Sequence, residues 1–205
     1  MSGVLAEVRE DVVTRALRRN DRFLIDIVEA FSLCPFARGT RTTDKLAREV
    51  IEEPLDPPAL TAYVRKYDDA AADIILLILP TYAGAPKAFE RYLDELRRAD
   101  EAVRPPLFAM APFHPQTVYH TDTPQRMVGL FRRSPDPTIQ LVRFTAIDSA
   151  KRRAPDGKFF FDGTEASWAA IAARPIRGLS EQITLDNFTR LRARADELAA
   201  KLASI

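Results

Sequence analysis

Apolar positions in the first thirty-odd residues recur every three to four: Leu5, Val8, Val12, Ala16, Phe23, Ile27 and Phe31. That period predicts helix from Val4 to about Leu33. It reads as one long helix or two in sequence, since Asn20-Asp21 falls in the gap and can cap a second start. Cys34-Pro35 ends it, because proline disfavours helical geometry in the residue before it. A short strand is expected over Ala47 to Glu52. "EPLDPPAL" then offers Asp56 as N-cap and Pro57 as first residue of a helix reaching about Asp69. "DIILLILP" is a nearly continuous branched-aliphatic run, the pattern of a strand buried on both faces. A helix from about Ala85 to Glu101 follows, with Phe89, Leu93 and Leu96 along one side, and "PLFAMAPF" reads as the next strand.

Further on, "DTPQRMVGLF" reads as a short capped helix, and "SPDPTIQLVRFTAIDSAKRR" as another starting near Asp136. "APDGKFFFDG" reads as a turn plus a short apolar strand or hairpin, and Ser180 to Ser204 as a closing helix. The order strand–helix–strand–helix–strand argues for an α/β fold. Its expected form is a small, mostly parallel sheet of three core strands, flanked by helices, with long helices at both termini. Residues 1–205 are expected to form one domain, since 205 residues at 46% hydrophobic suffice for a substantial core.

Charge changes the picture mainly by exclusion. Thirty basic against 29 acidic residues leave a formal charge of +1, with no global pull toward nucleic acid or anionic membrane. A single cysteine, Cys34, rules out an internal disulfide, and the longest apolar run, Ile74 to Leu79, is too short to span a bilayer. With acidic and basic residues where a secretory h-region would stand, the expected location is cytoplasmic.

Both histidines fall in "FHPQTVYH", residues 113–120. In open parallel sheets ligands gather beyond the carboxyl ends of strands, which brings Glu52-Glu53, Pro80-Thr81-Tyr82 and Phe113-His114 to one rim. His114 is therefore the site candidate. An extended chain would hold His120 roughly 20 Å away, at about 3.3 Å per residue, so a shared metal needs the chain to turn back. Arg132 and Arg133, ahead of the expected helix at Asp136, would form a corner for carboxylate or phosphate. Cys34 can be a nucleophile or a soft ligand, although a helix C-terminus would raise its thiol pKa. No GxGxxG, Walker loop, HExxH, CxxC or GxSxG occurs.

Together "LCPFA", "FHP", "RSPDP" and "AID", at Leu33, Phe113, Arg133 and Ala146, resemble the bacterial family known as domain of unknown function 1415. The resemblance covers about Val13 to Asp148 and resumes over Ile183 to Leu191. It implies that Cys34, His114, Arg133, Ser134, Arg143, Asp148 and Asn187 line a pocket. Arg132 stands where the family usually has asparagine, Gln140 where it has histidine, and Phe144 where it has glutamate. The chain thus reads as a divergent member, with an extended segment near 151–179.

The expected function is an enzyme acting on a small anionic metabolite, with His114 as general acid or base, Arg133 as anion clamp and Cys34 as a further catalytic candidate. Arg132, Ser134, Arg143, Asp148, Asn187 and Tyr82 would bind substrate. The alternatives are a haem or metal protein with His114 or Cys34 as ligand, and a non-catalytic partner-binding protein.

Overall fold

The computed structural model describes residues 2–31, 33–34, 37–153 and 188–205. The hairpin expected at residues 154–163, and Asn187, lie outside the described residues. The long amino-terminal helix is continuous. Helix α1 (Ser2–Arg22) passes straight through Asn20, which is buried within it rather than capping a second start. At Phe23 the winding widens to a π-helix, Phe23–Glu29, which places Phe23, Leu24, Ile27 and Val28 against the core. The helix thus ends before Leu33. Its last carbonyls are met from the carboxyl end of the chain, where Arg190 donates to Phe31 O at 3.2 Å. Arg194 lies 4.0 Å above the Phe31 ring. Cations are favoured at such a terminus, whose carbonyls have no helical partner.

After α2 (Ala37–Thr42) the chain forms β1 (Leu46–Val50) and α3 (Pro57–Val64), then a single 3-10 turn over Arg65–Tyr67. Asp56 caps α3 as expected, its carboxylate accepting from Ala59 N–H at 2.8 Å. Strand β2 (Ile74–Ile78) is buried at every position. Helix α4 (Pro86–Glu101) and β3 (Phe108–Phe113) follow where the pattern put them. Thr123 caps α5 (Pro124–Phe131).

The main correction comes next. "TIQLVR" is not the start of a helix but strand β4 (Thr138–Arg143), and α6 (Phe144–Arg153) begins only after it. Two helices close the described chain, α7 (Phe188–Ala193) and α8 (Ala195–Ala203), with a break at Arg194 where one helix was expected.

The sheet has four strands in the order β1-β2-β4-β3. β1 and β2 pair in parallel, while β4 runs antiparallel to both of its neighbours. The three expected core strands therefore point the same way, but β4 is inserted between two of them. Asp136 cannot cap a helix, because Arg19 of α1 holds its carboxylate bidentately at 2.6 and 3.1 Å. Pairing between β2 and β4 continues past the strand ends, with Leu79 N–H donating to Pro137 O at 2.8 Å.

Side chains directly opposite in a register share a face, so the sheet's two sides can be read from the pairing. On one side Ile75, Leu77, Ile139, Leu141 and Phe108 pack under α3 and α4. On the other, Ile74, Leu76 and Ile78 pack under α1 and the π-helix. No helix among the described residues is long and apolar enough to cross a membrane.

Candidate functional site

The second of those sides is unevenly filled. Above β1 and β2 the π-helix supplies Phe23, Leu24, Ile27 and Val28. Above β4 and β3 the floor is Thr138, Gln140 and Val142, paired with Phe113, Ala111 and Ala109. Two alanines and an amide cannot reach a helix lying at a normal packing distance. A cavity of 660 Å³ opens there and continues round the unpaired edge of β3 toward α4. Its walls are largely apolar, with Phe23, Phe113, Phe131 and Phe144 among them.

Polar groups punctuate this wall. Arg132 and Ser134 border it beside the carboxyl ends of β2 and β3, and Cys34 borders it from the link into α2. Ser134 and Thr138 both donate their hydroxyls to Asp136 O, at 2.5 and 2.9 Å, which holds the turn into β4 closed. The Arg19–Asp136 pair pins α1 to that turn, so Asn20 also stands on the cavity wall. Asn20 is 4% exposed, and its Oδ1 has no hydrogen-bond partner among the described residues. Arg132, Gln140 and Phe144 all border this space.

The histidines stand on the other side of Pro112, in a smaller cleft of 390 Å³ that Arg132 also borders. His114 is 4% exposed and both ring nitrogens are engaged. Nε2–H donates to Gly84 O at 2.9 Å, and Nδ1 accepts from Gln116 N–H at 3.1 Å. Burial, with the Phe89 ring centroid 5.8 Å away, pushes its pKa below the usual histidine value. The imidazole is therefore a neutral brace, its two nitrogens spent on backbone.

His120 lines the same cleft, at the opposite end of α5. His114 N–H donates to Arg132 O at 2.8 Å and His120 N–H to Arg126 O at 3.1 Å, so the segment runs antiparallel along α5. Gly129 makes that possible, since a Cβ there would meet Val118 O at 2.1 Å. A glycine inside a helical pattern is the sequence signal for such a close approach.

The remaining candidates divide. Arg143 does not face the cavity. Its guanidinium donates to the carbonyls of Tyr67, Asp68, Ala70 and Ala72 at 2.6 to 3.2 Å and lies 4.7 Å from the Phe108 ring. It ties together the carbonyls at and just beyond the end of the 3-10 turn, where Tyr67 O also accepts from Ala70 N–H at 3.2 Å. Tyr82 belongs to a ring cluster with Phe89 and Tyr92, at 4.9 and 5.9 Å. Arg133 borders neither cavity; its guanidinium carbon lies 5.3 Å from the Tyr119 ring, and its Nε is buried without a partner among the described residues. Asp148 is exposed on α6. The helix that was to complete an anion corner at Asp136 is absent, because β4 occupies its place.

Of the two candidate soft or metal ligands, only Cys34 borders the large cavity. Among the described residues, no group of three or more histidine, cysteine or acidic side chains comes together in a way that could hold a metal ion.

What fold and site define is an α/β protein with a four-stranded mixed sheet and a chamber along one face. Over residues 15–165 the chain matches the family described as protein of unknown function (DUF1415), and it belongs to that family. Neither the curated proteins nor the solved structures contain a match to it.

Proposed function

We propose that the protein binds, and acts on, a small carboxylate- or phosphate-bearing molecule with an apolar body, lodged over the β4–β3 half of the sheet. The observation that carries this reading is the chamber itself. It is a 660 Å³ space walled mainly by apolar side chains, with Arg132 and Ser134 beside the carboxyl end of β3 and, toward α4, Arg97 among Glu90, Asp94, Asp100 and Glu101. Ligand sites are of this size and make-up, apolar walls with a few placed polar groups. An arginine fork suits a carboxylate or phosphate.

In this reading Arg132 takes the clamping role expected of Arg133. Cys34 is the side chain on the wall able to form or accept a covalent bond. His114 shapes the rim through Gly84 and Gln116 instead of carrying a proton.

The test starts with what co-purifies, read by native mass spectrometry and an absorption spectrum of the full chain. The spectrum also registers haem, for which Cys34 would be the available ligand. Ligand-observed NMR with a library of small carboxylates and phosphates follows. Binding is expected in the wild type and lost in Arg132→Ala and in the chamber-filling Ala111→Phe, with folding checked by circular dichroism. Binding that survives both substitutions in folded protein overturns the reading.

A further inference from the structure

Two buried oxygens on the chamber wall have no donor among the described residues: Asp100 Oδ2, whose carboxylate is held by Arg104 through Oδ1, and the neutral Asn20 Oδ1. Asn20 is carried on α1 and is 4% exposed. A buried carbonyl oxygen left without a donor is costly, and native proteins keep very few of them. Its neighbours are committed elsewhere: Arg19 to Asp136, and Asp21 to Arg48 on β1. The last torsion of an asparagine is soft, so a modest rotation presents the oxygen to the adjoining space without moving the helix. A second amide, Gln140, stands on the floor of the same space. Around these amides the wall is aromatic, with Phe23, Phe113 and Phe131 bordering it.

We propose that the ligand of this chamber is an aromatic carboxylate bearing an amino or hydroxyl donor, and that Asn20 is the specificity-determining residue that accepts from that donor. This rests on the chamber reading above and goes further, naming a third feature of the ligand. The ring lies between the phenylalanines and the small floor of Ala109 and Ala111. The carboxylate meets Arg132. The N–H or O–H turns toward Asn20 Oδ1, with the Gln140 amide on the same wall as a second acceptor.

The experiment compares matched probes on the full chain: benzoate against 2-, 3- and 4-aminobenzoate and the three hydroxybenzoates, by isothermal titration and ligand-observed NMR. In the wild type the best donor-bearing isomer binds about tenfold or more tighter than benzoate, the worth of one well-made hydrogen bond. In Asn20→Leu that ratio falls to about one while benzoate is still bound. Asn20→Asp, which keeps an acceptor of the same shape, restores the preference and favours amino over hydroxyl probes, so a folding defect in one variant does not hide the answer.

Equal binding of benzoate and its donor-bearing relatives overturns the proposal but leaves the chamber reading standing. So does a preference that persists in Asn20→Leu. Failure of every aromatic carboxylate, with some aliphatic acid or phosphate bound instead, also overturns it while sparing the chamber. Failure of all anions in the folded wild type overturns both.

Discussion

Strands β4 and β3 carry two different surfaces on one pair of backbones. On the side toward α4, Ile139, Leu141 and Phe108 are buried to 3% exposure or less, against Phe89, Leu93 and Leu96 at 0%. On the opposite side the same strands present Thr138, Gln140, Ala109 and Ala111. Close packing is normal for a protein interior, and the near-complete burial of the first side accords with it. The second gives up burial of side-chain area for an open chamber edged with amides, hydroxyls, carboxylates and two arginines. One side stabilises; the other is free to bind. The contrast locates function more firmly than any single residue does, because a gap of this kind within a fold weakens it unless something occupies it.

The sharpest way to test the contrast is to cut into the filled side. Leu141 is fully buried between Ile75 and Met110 of the adjoining strands. Leu141→Ala is expected to destabilise by about 2–5 kcal/mol, measured by urea or thermal unfolding. A loss below about 1 kcal/mol would mean that this side is not the tight one. Next in size is the strut between the two sides. Asp136→Ala removes the partner that holds Arg19 and frees the turn into β4. It should cost about 2 kcal/mol, the range for a hydrogen bond to a charged group, and should loosen ligand binding at Arg132 as well. An unfolding curve unchanged by this substitution would show that α1 needs no such anchor.

Why the second side escaped the sequence is visible in two Asp-Pro pairs. Asp56-Pro57 and Asp136-Pro137 offer the same signal for a helix start. The first is followed by helix-favouring Ala and Leu, and Asp56 caps α3. The second is followed by "TIQLV", where Ile139 and Leu141 alternate with Thr138 and Gln140 in the period of a strand, and Arg19 has taken the carboxylate. Local capping chemistry was legible; a competing ion pair 117 residues away was not. Most other elements announced themselves by period, β2 and α4 above all. Once β4 was read as helix, the face carrying Gln140 and the alanines could not be assembled, and the chamber with it. Cys34, Arg132 and Ser134, expected to take part in catalysis or substrate binding, border the chamber; Asn20, a possible cap by sequence, lies inside a continuous helix, and His114 has both ring nitrogens on backbone.

His114 offers a prediction in pH. Its folded pKa lies below the ordinary value of 6.5, so between the two values the unfolded chain binds more protons than the folded one. The stabilisation it gives is therefore complete above about pH 6.5 and lost as the pH falls through that value toward the folded pKa. Protonation of Nδ1 would also break the bond from Gln116 N–H. Melting temperatures from pH 7.5 down to 5.5 should decline in the wild type. In His114→Gln, less stable at neutral pH, that part of the decline should be missing. Parallel curves for the two proteins would remove His114 from the account of the rim.

The smallest expected effect on stability says most about the chamber. Ala111 lies directly opposite Gln140 on its floor and is only half-buried. In a packed interior, adding methylenes forces strain and costs about 1–3 kcal/mol. Over an open chamber the added side chain covers apolar wall instead. Ala111→Leu should therefore change unfolding stability by no more than about 0.5 kcal/mol, as at a site with room to spare. The same substitution should weaken binding of any ligand found there, since it takes up the space where the apolar body lies. A marked destabilisation would show that the floor is already covered, and that the two sides of β4 and β3 are less different than their side chains suggest.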